Sequence, residues 1–335
     1  MALVFHGVGD LRLEYRPTPD AGPDDVVLRP LLTGICGTDR AIYLGNAPCT
    51  APRVLGHESV GVIRAVGDRV TSVRPGDRVM LNPTMWCGEC RPCLAGHGYR
   101  CVRKAELEMG VGCDGAAAEL VMVPARFVHR LPADLPDRRA VLLEPLACVL
   151  AGLAKVRIGP LDQVLVLGGG PIGALTAMVA ARLSAGVMLR EPDPYRRGFA
   201  SDHLACVVPD DGMGHLAAPP TVVIDTTAAL TEFALDTVED GGRVLQLGVH
   251  TGQRMLLRPF VLTARNLTLI GSSDYNQFDL PGIIEFARTL PCEALVTHLV
   301  PLTDAVQAFA LLAVDPGSGY QAMKVALTTG GEDQA

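Results

Sequence analysis

Lysine is almost missing from this chain: Lys104, Lys155 and Lys324 are the only three among 29 basic residues. Acidic residues number 36, which leaves a net charge of −7. A surface short of positive charge argues against nucleic acid or an anionic membrane as partner, since both are bound through a basic footprint. Aromatic residues are scarce at 4%, with a single tryptophan. Long uncharged runs are missing except at 164–181, which contains G-G-G-P-I-G. A buried strand followed by a buried helix is expected there, not a membrane span. The first ten residues carry neither a basic region nor an apolar core of signal length, so a soluble, cytoplasmic protein is expected.

What is present bounds the fold. The chain has 335 residues, which favours two domains, and 49% of them are hydrophobic, enough to exclude disorder as the main state. Glycine (36) and proline (25) punctuate short apolar runs without any G-X-Y period, which suggests strands and turns. Residues 1–150 read as β-rich, with strands near 26–28, 60–66 and 120–123. From 151 to 288 strands at 164–167, 187–189, 222–224, 244–247 and 267–270 alternate with helices such as 172–183 and 230–238. That alternation implies an α/β, doubly wound parallel sheet of the Rossmann kind. Residues 289–335 return to the first domain through a helix at 303–313 and a strand at 324–327.

Ten cysteines in a chain without a leader point to metal or free thiols. Cys87, Cys90, Cys93 and Cys101 form C-x2-C-x2-C-x7-C within a lobe at 86–102. Four thiolates so close fold around one tetrahedral Zn²⁺, and because they leave no open position the site is structural. A second set is dispersed: Cys36 in G-I-C-G-T-D, His57 and Glu58 in G-H-E, and Glu144 in L-L-E-P-L-A. One soft, one borderline and one or two hard ligands suit Zn²⁺ with an exchangeable position. Farther on, Gly168, Gly170 and Gly173 form GxGxxG after an apolar strand, with Pro171 and Ile172 opening a helix. Glycines there let backbone N–H groups approach a pyrophosphate at the helix N-terminus. Glu191 ends the next strand, near the expected position of the carboxylate that accepts a ribose diol and repels a 2′-phosphate. NAD is therefore the expected cofactor, while Arg190, Arg196 and Arg197 leave NADP open.

Taken in order, C-G-T-D, G-H-E, the four-cysteine lobe, E-P-L-A and the glycine turn resemble the zinc-dependent medium-chain alcohol and polyol dehydrogenases over essentially the whole chain. The nearest branches are the sorbitol, threonine and 2-deoxy-scyllo-inosamine dehydrogenases. The resemblance implies a GroES-like catalytic domain built from both ends of the chain, a Rossmann domain between, and a cleft that holds zinc and nicotinamide. It implies two Zn²⁺ per chain, with Cys36 and His57 as catalytic ligands and Glu58 and Glu144 competing for the remaining protein position. Thr38 matches the family's hydroxyl for passing a proton outward, Asp39 orders its turn, and Arg196 flanks the adenine ribose. Tyr43, Met109, Cys113, Ser272, Ser273, Asp274 and Tyr275 fall where relatives line the cleft. The reaction implied is hydride transfer between a secondary alcohol and NAD(P), giving the ketone. The substrate would be a cyclitol, polyol, aminocyclitol or amino alcohol, and a simple secondary-alcohol or threonine-type enzyme is the alternative. A non-catalytic dinucleotide-binding protein is the rival from another class. A homodimer or homotetramer is expected.

Three departures stand out. Ala41 occupies the place where many relatives carry a relay histidine, T-T-A-A follows Asp225 where relatives often show glycine, and 208–222 is too short for the usual intervening helix.

Overall fold

The computed structural model describes residues 1–208, 219–249, 251–314 and 317–330. Two compact units divide the chain: 1–144 with 276–335, and 145–275.

The first unit is built on antiparallel pairing. β1 (Ala2–Gly7), β2 (Asp10–Glu14) and β4 (Arg53–Val54) make a three-stranded sheet in the order β2-β1-β4. A seven-stranded sheet joins β3 (Asp25–Gly34), β5 (Glu58–Val66), β6 (Arg78–Leu81), β7 (Val121–Pro124), β8 (Val128–Arg130), β14 (Val296–Pro301) and β15 (Lys324–Thr328). Its path runs β14-β15-β3-β5-β6-β8, with β7 also pairing β3. The late strands β14 and β15 thus join the early strands in one sheet, because β15 lies antiparallel to β3. Val26, Leu28, Ile63, Val79, Leu81 and Val123 form its core.

The second unit is a five-stranded parallel sheet of β9 (Gln163–Leu167), β10 (Gly186–Arg190), β11 (Val222–Asp225), β12 (Arg243–Gln246) and β13 (Thr268–Gly271). Its order is β10-β9-β11-β12-β13. The sheet reverses direction of growth between β9 and β11, the arrangement that opens a crevice at the strands' carboxyl ends. The Pro171–Ala180 helix packs on β9 and β10, and Thr231–Thr237 on β11 and β12. The uncharged stretch at 164–181 therefore resolves into a strand and a helix, and among the described residues no helix is long and apolar enough to cross a membrane. Beyond β10 the sheet continues as a single bridge, in which the N–H of Val207 donates to Val187 and that of Leu189 to Val207, both at 2.9 Å. The missing helix expected after Val208 falls largely on 209–218, outside the described residues.

One helix expectation needs correcting. The stretch 303–313 is not a single helix but 3₁₀ turns at Leu302–Asp304 and Phe309–Leu311 around a short α-turn, Ala305–Ala308. Buried Leu302, Ala305, Ala308, Phe309 and Leu312 keep the spacing of one helical face, which is why the sequence reads as a helix, but the backbone tightens into 3₁₀ turns at both ends.

Candidate active site

In the first unit, strand register brings the dispersed motifs together. Gly34 pairs with Glu58 across β3 and β5, so Cys36, just past β3, comes beside His57, just before β5. Cys36 precedes the Gly37–Tyr43 helix. Asp39, in that helix's first turn, is buried and ties the two motifs: Oδ2 accepts from the Cys36 N–H at 2.8 Å and Oδ1 from the Gly56 N–H at 3.2 Å. Oδ1 also lies 3.9 Å from Nδ1 of His57, beyond hydrogen-bond distance. The ligand atoms of Cys36, His57 and Glu58 all lie within 4.8 Å of one another. Thr38 Oγ1 is 3.8 Å from Cys36 Sγ.

The electrostatics of this cluster say what it lacks. His57 is held well above the ordinary imidazole range: burial pushes it down, and Cys36, Asp39 and Glu144 outweigh that. Its Nδ1 is buried without a hydrogen-bond partner. Groups that force a proton onto a buried imidazole are short of one positive charge. A divalent cation held by sulfur, nitrogen and carboxylate oxygen fits that need. Glu144, in the first turn of the Leu143–Val156 helix, acts on His57 through its charge but is not among the three donors within 4.8 Å.

The four-cysteine lobe is arranged as its spacing implies. Sγ–Sγ distances are 3.3 Å (Cys90–Cys93), 3.6 Å (Cys87–Cys101) and 4.0 Å (Cys87–Cys93 and Cys90–Cys101). A tetrahedron with Zn–S bonds near 2.3 Å has edges of about 3.8 Å. Backbone N–H groups of Cys87 and Arg103 donate to Cys101 Sγ at 3.4 Å each. Backbone bonds from Val102 and Cys93 pull the Cys90 thiol down to about 6, while burial pushes the neighbouring Cys93 thiol up to about 12.

In the second unit, β9 runs into Gly168, whose φ of +95° a side chain would strain. A Cβ on Gly173 would fall 1.8 Å from the Gly168 carbonyl oxygen, so only glycine allows the helix to start so close to the strand. Glu191 is buried at the end of β10. Its Oε2 accepts from Gly169 N–H at 2.6 Å and its Oε1 from Asp193 N–H at 2.8 Å. The carboxylate is thereby fixed against the glycine turn. The three nearby arginines divide. Arg196 lies over the turn, its Nη1 3.3 Å from where a Gly170 Cβ would be. Arg197 bonds the carbonyls of Glu191 and Pro192, and Arg190 stacks on Phe233 at 4.8 Å.

Of the residues expected to line the cleft, Met109 is a core side chain of the first unit and Tyr43 packs on Phe309, ring centroids 5.3 Å apart. Cys113 Sγ donates to Leu107 O at 3.3 Å. Ser272 accepts from Lys155 Nζ at 2.8 Å, Ser273 donates to Asp274, and Tyr275 is buried. Sequence reasoning takes Lys324 only as the first residue of a strand, yet it is buried with its ammonium on Glu58. The available signal was a lone lysine heading an apolar strand in a chain that hardly uses lysine.

Residues 22–133 match the family described as the alcohol dehydrogenase GroES-like domain. The chain is 31% identical, over 89% of its length and 90% of the relative's, to 2-dehydro-3-deoxy-L-galactonate 5-dehydrogenase of Pseudoalteromonas atlantica. It is 32% identical to L-arabinitol 4-dehydrogenase of Aureobasidium melanogenum, over 89% and 86% of the two chains. Among solved structures it superposes, with TM-score 0.88 and 28% identity over 98% of each chain, on a Sinorhizobium meliloti protein described as a zinc-binding dehydrogenase and bound to NADP.

Proposed function

The chain belongs to the zinc-dependent medium-chain alcohol and polyol dehydrogenases, which makes it an NAD(P)-dependent enzyme acting on secondary alcohols, and we propose that its substrate is hydroxyl-rich: a polyol, a cyclitol, or their amino-bearing counterparts. The observation that carries the catalytic part is the Cys36–His57–Glu58 cluster, whose ligand atoms all lie within 4.8 Å of one another and whose His57 Nδ1 is buried without a hydrogen-bond partner. The polyol and sugar-acid substrates in the names of its relatives support the substrate class.

In this reading Cys36 and His57 hold the catalytic zinc, with Glu144 and Glu58 as the carboxylates available to it. Cys87, Cys90, Cys93 and Cys101 hold the structural one. Zinc supplies a Lewis acid that lowers the pKa of a hydroxyl, and the nicotinamide supplies the hydride acceptor. Asp39 ties the backbone at Cys36 to that at Gly56, which holds the two ligand-bearing segments together. The Thr38 hydroxyl receives the substrate's proton beside Cys36. With Ala41 in the place of an imidazole, no side chain at position 41 carries that proton onward, and water, the ribose hydroxyls of a bound cofactor or another group would take it up. Gly168, Gly170, Pro171, Ile172 and Gly173 present backbone to the pyrophosphate. Glu191 accepts the ribose diol and Arg196 flanks it. NAD is the preferred cofactor, because Glu191 is a fixed negative charge, and Arg190 and Arg197 are engaged elsewhere. The cytoplasm is the proposed compartment, since clustered thiols bind zinc only when reduced.

We propose a homodimer or homotetramer. The support is the outer edge of β13, last in its sheet, together with exposed Val249 (73%), Leu256 (75%) and Phe260 (80%) in the same unit. Light scattering should give a multiple of 35.4 kDa, and a monodisperse monomer contradicts the proposal.

The substrate reading is tested by following reduced nicotinamide with a panel of polyols, cyclitols, aminocyclitols and simple alcohols, each with NAD and NADP. The highest kcat/KM should fall on a hydroxyl-rich member with NAD. Turnover confined to simple aliphatic alcohols contradicts it.

A further inference from the structure

Beside the Cys36–His57–Glu58 cluster lies a cation that the reaction does not require. Lys324 opens β15 at 2% exposure, and its Nζ pairs with Oε2 of Glu58, itself 1% exposed. Burying an ion pair strips water from both partners and is repaid only by close geometry.

Three strands build the arrangement. Gly34 on β3 faces Glu58 on β5 and Ala326 on β15, which sets Lys324, two residues before Ala326, on the side of Glu58. Gly34 also supplies the room: a Cβ there would fall 2.4 Å from Glu58 Oε2 and 2.9 Å from Lys324 Cε. The Glu58 carboxylate occupies the space that a side chain at 34 would fill.

We propose that Lys324 is a positioning residue that holds the Glu58 carboxylate away from the catalytic metal, making Glu58 an internal counter-ion instead of a resting ligand. The inference rests on the zinc reading of Cys36 and His57. Two anions, the Cys36 thiolate and the Glu58 carboxylate, compete to neutralise one divalent ion. By taking up the second, Lys324 keeps the metal more positive and leaves a position open for the substrate oxygen.

Release of zinc to a chromogenic chelator tests this on the zinc-loaded full chain. The catalytic equivalent is identified as the one missing from Cys36→Ser. In Lys324→Met the freed carboxylate should join the metal and slow release of that equivalent by about tenfold or more. Lys324→Arg, which keeps the charge, should restore release to within about threefold of wild type. Glu58→Gln/Lys324→Met, which leaves neither charge alone, should also stay within about threefold. Cobalt substituted at the same site should show an altered visible spectrum in Lys324→Met alone. Unchanged or faster release from Lys324→Met overturns the proposal. So does release about tenfold faster from the double variant, because Glu58 would then be a resting ligand. If Lys324→Met does not fold, the double variant decides by itself. Equal zinc content in wild type and Cys36→Ser would instead refute the zinc reading beneath it.

Discussion

At the scale of single residues, the departures from the family pattern carry the sharpest consequences. T-T-A-A after Asp225 places Ala228 at a φ of +63°, where relatives' glycine would be at ease. The turn is held by Asp225, whose Oδ1 accepts from the Thr227 N–H and hydroxyl at 2.8 and 2.7 Å, and whose Oδ2 accepts from the Leu230 N–H at 3.0 Å. Those bonds impose the left-handed backbone and the alanine tolerates it. Ala228→Gly should therefore raise stability by about 1 kcal/mol, read from denaturant midpoints at unchanged slope; a fall would mean the turn is not strained. Glu191 joins two duties, since the oxygen that accepts Gly169 N–H belongs to the carboxylate proposed to read the ribose. Glu191→Ala should lower the NAD-over-NADP ratio of kcat/KM by about tenfold, roughly one lost charge-assisted contact. An unchanged ratio would place cofactor choice elsewhere.

At the scale of elements, short motifs were legible wherever chemistry and local backbone coincide. The spacing of the four cysteines is a local property, and so is the strand-glycine-helix order from β9 to the Pro171–Ala180 helix, so both stand where the sequence puts them. Lys324 was not legible, because its meaning comes from the β3–β5–β15 register and from the missing side chain of Gly34. Nor was the break in 303–313, because burial of Ala305, Ala308, Phe309 and Leu312 keeps the helical period although the backbone is 3₁₀ at both ends. The lobe offers its own readout. Trp86 is the chain's only tryptophan, stacks edge-on against Phe127 at 4.5 Å, and touches the lobe at Gly98. Cys93→Ser should lower folding yield and shift Trp86 emission to the red as the lobe opens to water. Intact stability and emission in that variant would show that the lobe does not need its fourth sulfur.

At the scale of the whole molecule, two clusters of metal-ligating side chains and one glycine turn stand in a single chain whose late strands join its early ones in one sheet. The order of the motifs identified the family; the partition of carboxylates around the catalytic donors required three dimensions. Everything proposed for the reaction depends on Cys36 and His57 holding a metal that the hydride transfer uses. The most direct measurement is zinc per chain together with alcohol-dependent NAD reduction, in wild type and in Cys36→Ser. Wild type should hold about two zincs and turn over, and the variant should keep about one, still bind NAD, and show no turnover. A variant that keeps both zincs, or that still reduces NAD at the wild-type rate, would contradict the account.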